Sequence, residues 1–200
     1  MGGVTGHPTT RDRILDEAQH LMQQRGFSSV AYRDISTALG IRNASVHHYF
    51  PSKTDLGTAL VRRYRTRIET LLTDLSAAES SPLCRLHQYL TAYQSVIHAD
   101  GRICLCTQLI AEDCVLPSAI QQELAAFFTF SEAWLTRTLN EGRQQCELQF
   151  VDSPADVAQM FLATIEGAML MARATRSPQR FHDVTRRALA ALSAPTPRSL

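Results

Sequence analysis

The chain has no alternating polar–apolar stretch of the kind that forms strands, no internal repeat and no low-complexity tract. Those absences argue against a sheet or a solenoid and leave an all-α fold as the expectation. No apolar run is long enough to cross a bilayer, and residues 1–10 are polar and Gly-rich rather than a secretory leader. A cytoplasmic chain with no membrane partner is expected. Cysteine is present in an odd number, five, so in a reducing compartment the thiols are expected to be free rather than a disulfide frame. There is no nucleophile elbow, no Gly-rich phosphate loop and no H-E-x-x-H, so nothing points to an enzyme or to a cofactor. Net charge is only +1, but it is unevenly spread. Residues 1–67 carry ten Arg/Lys against five Asp/Glu, and residues 68–200 carry ten against fourteen. A basic head on an acidic body fits a nucleic-acid partner.

What is present is most specific at residues 33–50. Ile35, Ala38 and Leu39 share one apolar face, Leu39-Gly40-Ile41 reads as a turn, and Val46 and Phe50 recur at i, i+4. This is the pattern of a helix-turn-helix, whose second helix enters the DNA major groove. Arg42, Asn43, Ala44, Ser45, His47, His48 and Tyr49 are then left to face phosphates and base edges, with Tyr49 partly in the apolar corner. Lys53, at the start of the next helix, is the best single phosphate contact. His47 and His48 are adjacent and point about 100° apart on a helix, which disfavours a shared metal ligand.

Helical spacing and punctuation extend through the chain. After an arm over residues 1–9, a helix runs from about Thr10 to Arg25 with Ile14, Leu15, Ala18, Leu21 and Met22 inward, and Gly26 stops it. Ser52-Lys53-Thr54-Asp55 is a capping box opening a long helix that ends before Ser80-Ser81-Pro82. Further helices are expected over 83–98, 103–114, 118–141 with Gly142 as its stop, 154–175 and from Pro178 onward, with an Asp100-Gly101 turn and a loose tail after residue 194. Ser153-Pro154-Ala155-Asp156 supplies an N-cap, a proline at the first helical position and an early acid. Phe181, Val184, Ala188 and Leu192 set the inward face of the last helix.

The N-terminal segment resembles the TetR family of bacterial transcriptional repressors. The resemblance rests on Thr10 to Ala18, Gly26-Phe27, Arg33-Asp34-Ile35, Leu39-Gly40-Ile41 and His48-Tyr49-Phe50-Pro51-Ser52-Lys53-Thr54-Asp55-Leu56. It implies a DNA-binding head over residues 1–52 and an all-helical effector-binding and dimerisation body over 53–194. It also implies a homodimer built by helices 154–175 and 179–192, reading double-stranded operator DNA of near-palindromic sequence. Ala31 stands where a Thr is common in the family, and Arg42-Asn43-Ala44 stand where Ser or Pro, Lys and Gly are common, so phosphate contacts and operator sequence are not carried over.

A second cluster spans Gly101 to Pro117 and holds Cys104, Cys106 and Cys114. Cys104-Leu105 with Leu109 and Glu112 is similar to a subgroup of the family that responds to electrophiles, reactive chlorine species or small unsaturated acids. The resemblance makes Cys104 the sensing thiol. It places Arg173 where a Lys is common, as a cation able to lower a thiol pKa. Free Cys is also among the most buried residue types, so simple packing stays open. So does a reversible ligand in a pocket lined by Tyr93, Phe127, Phe130, Trp134 and Arg173. A metal site of Cys104, Cys106, Cys114 and His98 is disfavoured, because two thiols two residues apart on one helix lie about 200° apart. Cys146 falls in a loop before Phe150 and is expected to be dispensable. A thiol-dependent hydrolase and a sequence-indifferent architectural DNA protein are the readings from other classes. The first leaves the helix-turn-helix unexplained and the second leaves the apolar body unexplained.

Overall fold

The computed structural model describes residues 8–97 and 102–192, and all of its regular elements there are helical. Most of the expected arm, His98, the Asp100-Gly101 turn and the tail lie outside the described residues.

Helix α1 spans Thr10–Arg25. The Thr9 hydroxyl accepts from the Asp12 amide at 3.1 Å and the Asp12 carboxylate accepts from the Thr9 amide, which satisfies two otherwise free donors. The inward stripe is Ile14, Leu15, Ala18, Leu21 and Met22, as spaced in the sequence. The helix stops at Gly26, whose φ of +82° suits a residue without a Cβ. α2 (Tyr32–Leu39) ends on Gly40 in the left-handed region, and α3 (Asn43–Tyr49) follows after two residues. Ala31 at the N-cap of α2 offers no side-chain oxygen, and its amide is covered by the Asp34 carboxylate at 2.8 Å.

α4 (Lys53–Ala78) opens on the Ser52–Asp55 capping box and runs from the head into the body. Pro82 begins α5 (Pro82–Ser95); α7 (Ser118–Gln144), α8 (Pro154–Ala174) and α9 (Pro178–Leu192) complete the body. α7 packs between α4 and α8, and α8 packs on α9. Buried Glu123 of α7 ties itself to α4 through Arg62 at 2.7 Å and Arg65 at 3.1 Å.

Four expectations need correction. The segment 103–114 is not one helix: Ile103 and Cys104 are non-helical, α6 covers only Leu105–Ile110, and a 3₁₀ turn follows at Asp113–Val115. Gly142 does not stop α7, which continues to Gln144; Leu148 folds back over that glycine so closely that a Cβ there would sit 2.4 Å from its Cδ1. The inward face of α9 is Phe181, Thr185, Leu189 and Leu192, which leaves Val184 and Ala188 at its edge. α8 is long and apolar enough to pass as a membrane span by length and composition, yet about half of it is buried inside the body. A helix buried on one side needs that composition without any bilayer.

α6 is short, but it is the piece that holds the head. The Glu112 carboxylate, just beyond its end, accepts from the amides of Phe27 and Ser28, both at 2.9 Å. Gln23 of α1 donates to the Ile103 carbonyl at 2.7 Å, in a buried setting. Arg173 of α8 donates to the Gln24 carbonyl at 2.7 Å. Gly26 leaves the room this requires, since a Cβ on it would lie 1.7 Å from Glu112 Oε1. Gly26→Ala therefore combines a left-handed backbone with eviction of the Glu112 carboxylate. It is expected to cost at least about 2 kcal/mol and to lower the melting temperature by roughly 4–8 °C. Thermal denaturation followed by circular dichroism checks this, and an unchanged melting temperature would show that Glu112 does not seat against this turn.

Candidate DNA-binding face and thiol site

On the head, Val46 and Phe50 are buried and fix α3 against α1 and α2. The Tyr32 hydroxyl donates to the Phe50 carbonyl at 2.8 Å and closes the corner; its own ionisation is pushed up to about 12 by burial and by Asp55. With that side anchored, Arg42, Asn43, Ala44, His47, His48 and Tyr49 are exposed and Ser45 is half-buried. Tyr49 is 40% exposed, so it belongs to the outer surface rather than to the apolar corner. The His47 ring stands edge-on to Tyr32, with centroids 4.6 Å apart. Lys53 is not a bare surface lysine. Its ammonium donates to the Ser28 carbonyl at 3.1 Å and lies 4.6 Å from the centre of the Phe27 ring. Burial lowers its pKa, against the opposing effect of Glu112 and Asp34. An ammonium has three donors, so one outward-facing N–H is compatible with this post.

In the body, a cavity of about 140 Å³ opens between α4, α5 and α7. Its wall includes Tyr64, Tyr89, Tyr93, Phe127 and Cys104. A space of that size holds a ligand of roughly benzene dimensions. Cys104 is 2% exposed and sits at the N-cap of α6. Its amide donates to the Met169 sulfur at 3.2 Å, and the Tyr64 hydroxyl donates to its own sulfur at 3.2 Å. Burial opposes ionisation of this thiol. Hydrogen bonding from Cys106, Tyr64 and Thr107 outweighs it and brings the pKa down to about 6. Cys106 is wholly buried, and both burial and its bond to Cys104 hold it protonated.

Glu166 of α8 is the residue that sequence reasoning missed. Its carboxyl is turned inward onto the Thr107 hydroxyl and, at 3.3 Å, the Tyr93 hydroxyl, which in turn meets Tyr89 at 3.3 Å. Burial and the nearby Cys104 raise its pKa to about 8. A lone acid in the apolar run Phe161 to Met171 was the available signal. Glu112 and Gln23 were missed because their partners are main-chain groups, which leave no trace in composition.

The predicted effector residues divide. Cys104, Tyr93 and Phe127 meet at the cavity; Phe130, Trp134 and Arg173 do not line it. Trp134 is buried behind Tyr89, its indole N–H donating to the Leu72 carbonyl at 3.0 Å and the Ser76 hydroxyl at 2.8 Å. Phe130 is half-buried on another side of α7. Arg173 is taken up by Gln24, so the groups that favour the thiolate are neutral donors rather than this cation. Cys114 and Cys146 are exposed, Cys146 in the loop before Phe150. Among the described residues no group of three or more His, Cys, Asp or Glu is placed to hold a metal ion, and His98 lies outside them.

Comparison with known proteins places this architecture. Residues 14–60 match the family of bacterial regulatory proteins, tetR family, and residues 82–189 match the tetracyclin repressor-like C-terminal domain. The chain is 33% identical to the transcriptional regulator AcuR of Cereibacter sphaeroides over 174 residues, 84% of this chain and 78% of that one. It is 29% identical over 180 residues to the transcriptional repressor NemR of Escherichia coli, 88% of this chain and 90% of that one. Among solved structures, a TetR-family regulator from Agrobacterium tumefaciens superposes with a TM-score of 0.88 at 38% identity, covering 92% of this chain and 97% of that one. The reduced form of E. coli NemR superposes with a TM-score of 0.82 at 25% identity, covering 94% and 100%. The C-terminal match alone spans more than half of the chain, and with these relatives it settles the assignment: the chain belongs to the TetR family of bacterial transcriptional regulators.

Proposed function

We propose that this protein is a homodimeric transcriptional repressor that releases a near-palindromic operator when Cys104 reacts with an electrophile or an oxidant. Residues 1–52 are the DNA-binding head, and residues 53–194 are the effector-sensing and dimerising body. The observation that carries this reading is the position of Cys104. The residue stands in a cavity wall, and its peptide bond is shared with Ile103, whose carbonyl is gripped by Gln23 of the head. An adduct on Cys104 fills a cavity of about 140 Å³, and one too large for that space displaces the neighbouring backbone. The moved backbone is the one that anchors α1. Similarity to proteins described as a repressor, and to one solved in a form described as reduced, supports the same reading.

The dimer is assigned to α8 and α9 as a four-helix bundle across a two-fold axis. The outer face of α8 supports this. Met160 and Met171 are 57% and 48% exposed, and between them Gly167 has open space where a Cβ would be. A second copy covering that face accounts for an apolar helix that one protomer buries only in half. The two heads then address two half-sites, and a change in their spacing sets the affinity for DNA. A reversible small apolar or anionic ligand in the Tyr93–Phe127 cavity is the second reading, favoured by the cavity's apolar wall with its tyrosine hydroxyls.

Three outcomes are expected. Arg42→Ala and Lys53→Ala weaken binding to all DNA sequences and flatten the salt dependence, whereas Asn43→Ala and His47→Ala change the preference among operator variants. Binding titrations at several salt concentrations check this, and unchanged affinity in all four variants would remove α3 from the DNA. Cys104→Ser binds operator but is no longer released by a quinone, an enal or hypochlorite. If it is released like the parent, the reversible ligand reading takes over. Finally, a depressed thiol pKa keeps the thiolate populated as pH falls. Alkylation of Cys104 by iodoacetamide should hold its rate between about pH 9 and about pH 7, where an ordinary thiol of pKa about 8.5 slows. The rate should halve near pH 6. A midpoint at the ordinary value would show that burial dominates over the hydrogen bonds.

A further inference from the structure

Two thiols two residues apart on one helix would lie on opposite faces, but of Cys104 and Cys106 only the second is helical. Cys104 has φ −48° and ψ 135°, a non-helical N-cap, while Cys106 lies in the first turn of α6. The break in backbone direction between them keeps the two thiols from standing on opposite faces of one helix, and the ionisation of each responds to the other. Both are buried, at 2% and 0% exposure, and of the two only Cys104 lines the cavity. The other three cysteines are exposed and none of them lines that cavity. One thiol thus belongs to the cavity wall, and a second lies two positions on in the same buried segment.

We propose that Cys106 is the resolving thiol of Cys104, so that a two-electron oxidant of the peroxide class converts the pair into an intramolecular Cys104–Cys106 disulfide that a thiol reductant reopens. This rests on the reading of Cys104 as the reacting residue and adds the fate of the oxidised sulfur. The Cys104 thiolate attacks one peroxide oxygen, the O–O bond breaks, hydroxide leaves, and Cys104 becomes a sulfenic acid. The Cys106 sulfur then attacks the Cys104 sulfur. The S–O bond breaks, and the hydroxyl departs as water with the Cys106 proton. The two thiols lose two electrons and the peroxide gains them.

The product strains the structure around it. Cα atoms two residues apart already meet the limit of about 7 Å, but with one residue between the partners the ring is small, and a C–S–S–C torsion near 90° requires the backbone between them to turn. Cys106 leaves its helical turn to meet these terms, and α6 has only six residues to lose. The segment that unwinds is bounded by Ile103, held by Gln23, and by Glu112, which holds Phe27 and Ser28. A strained bridge is also readily reduced, as a reversible signal requires.

The test uses the full-length protein, pre-reduced and then treated with stoichiometric hydrogen peroxide, read by intact mass, fragment mapping and binding to a DNA fragment selected for affinity. The parent is expected to lose about 2 Da, to show a Cys104–Cys106 link, to release DNA and to regain it with dithiothreitol. Cys106→Ser and Cys106→Ala are expected to carry a sulfenic acid at Cys104 that dimedone traps. After a second equivalent of peroxide they should proceed to sulfinic acid and fail to regain DNA binding with dithiothreitol, whereas the parent, already bridged, still regains it. Cys114→Ser should behave as the parent. A parent that gains about 16 Da without losing about 2 Da, or that links a different pair, overturns the proposal without reference to any variant. So does full recovery of both Cys106 variants, with circular dichroism showing them folded. A Cys104→Ser protein that still releases DNA on peroxide would sink the Cys104 reading itself. An inert Cys104→Ser beside recovering Cys106 variants would sink only the resolving role.

Discussion

The carboxylate of Glu112 and the two amides it accepts from are the constraint on which the rest of the arrangement hangs. An ionised acceptor held by two main-chain donors is among the stronger hydrogen-bonded pairings a protein makes. Here it joins the turn after α1 to the segment after α6, two places about 85 residues apart in the chain. Because Gln23 meets Ile103 at the other end of the same segment, α6 is pinned to the head on both flanks. A helix of six residues has too few internal bonds to persist alone, so its existence depends on these flanks and on its buried face. Head and body therefore share a piece of structure rather than merely touching.

The thiol site is built on a balance that burial alone would lose. Taking a thiolate out of water is costly, and among the described residues no Arg or Lys lines the cavity to offset it. Neutral donors do the work instead: the Cys106 thiol, the Tyr64 hydroxyl and Thr107. Glu166 belongs to the same balance from the other side. Its carboxyl is protonated at neutral pH, because burial and the charge on Cys104 both oppose its ionisation. Two negative charges so close in a low-dielectric interior would compete, so the charge the site carries resides on sulfur. Folding thus favours a charged sulfur and a neutral acid, the reverse of their order in free solution.

The helical elements were legible wherever capping residues and periodicity agreed. Ser52 and Ser153 cap as their neighbours indicate, and the stripe of α1 is carried by residues with no competing role. Legibility failed where tertiary contact overrode a local rule. Gly142 reads as a stop, but Leu148 needs its bare backbone for packing. Ile103 and Cys104 read as helical, but the bonds to Gln23 and Met169 hold them out of the helix. Arg173 looked like a partner for a thiol because both belong to one body, yet its nearest acceptor is a carbonyl of the head. The polar groups that organise the site bind main chain or one another, and spacing in the sequence cannot reveal such pairings.

The close seating of Glu112 on a turn that tolerates no side chain at Gly26 also bears on how this regulator can be rebuilt. Heads and bodies of such regulators invite exchange as cassettes, a new operator specificity grafted onto an existing sensor. For this body the cassette boundary does not fall at Ser52. A donor head has to bring a glycine where Gly26 stands, two free amides after it and a side-chain amide where Gln23 stands. A graft lacking them would produce a chimera that folds as two parts and transmits nothing between them.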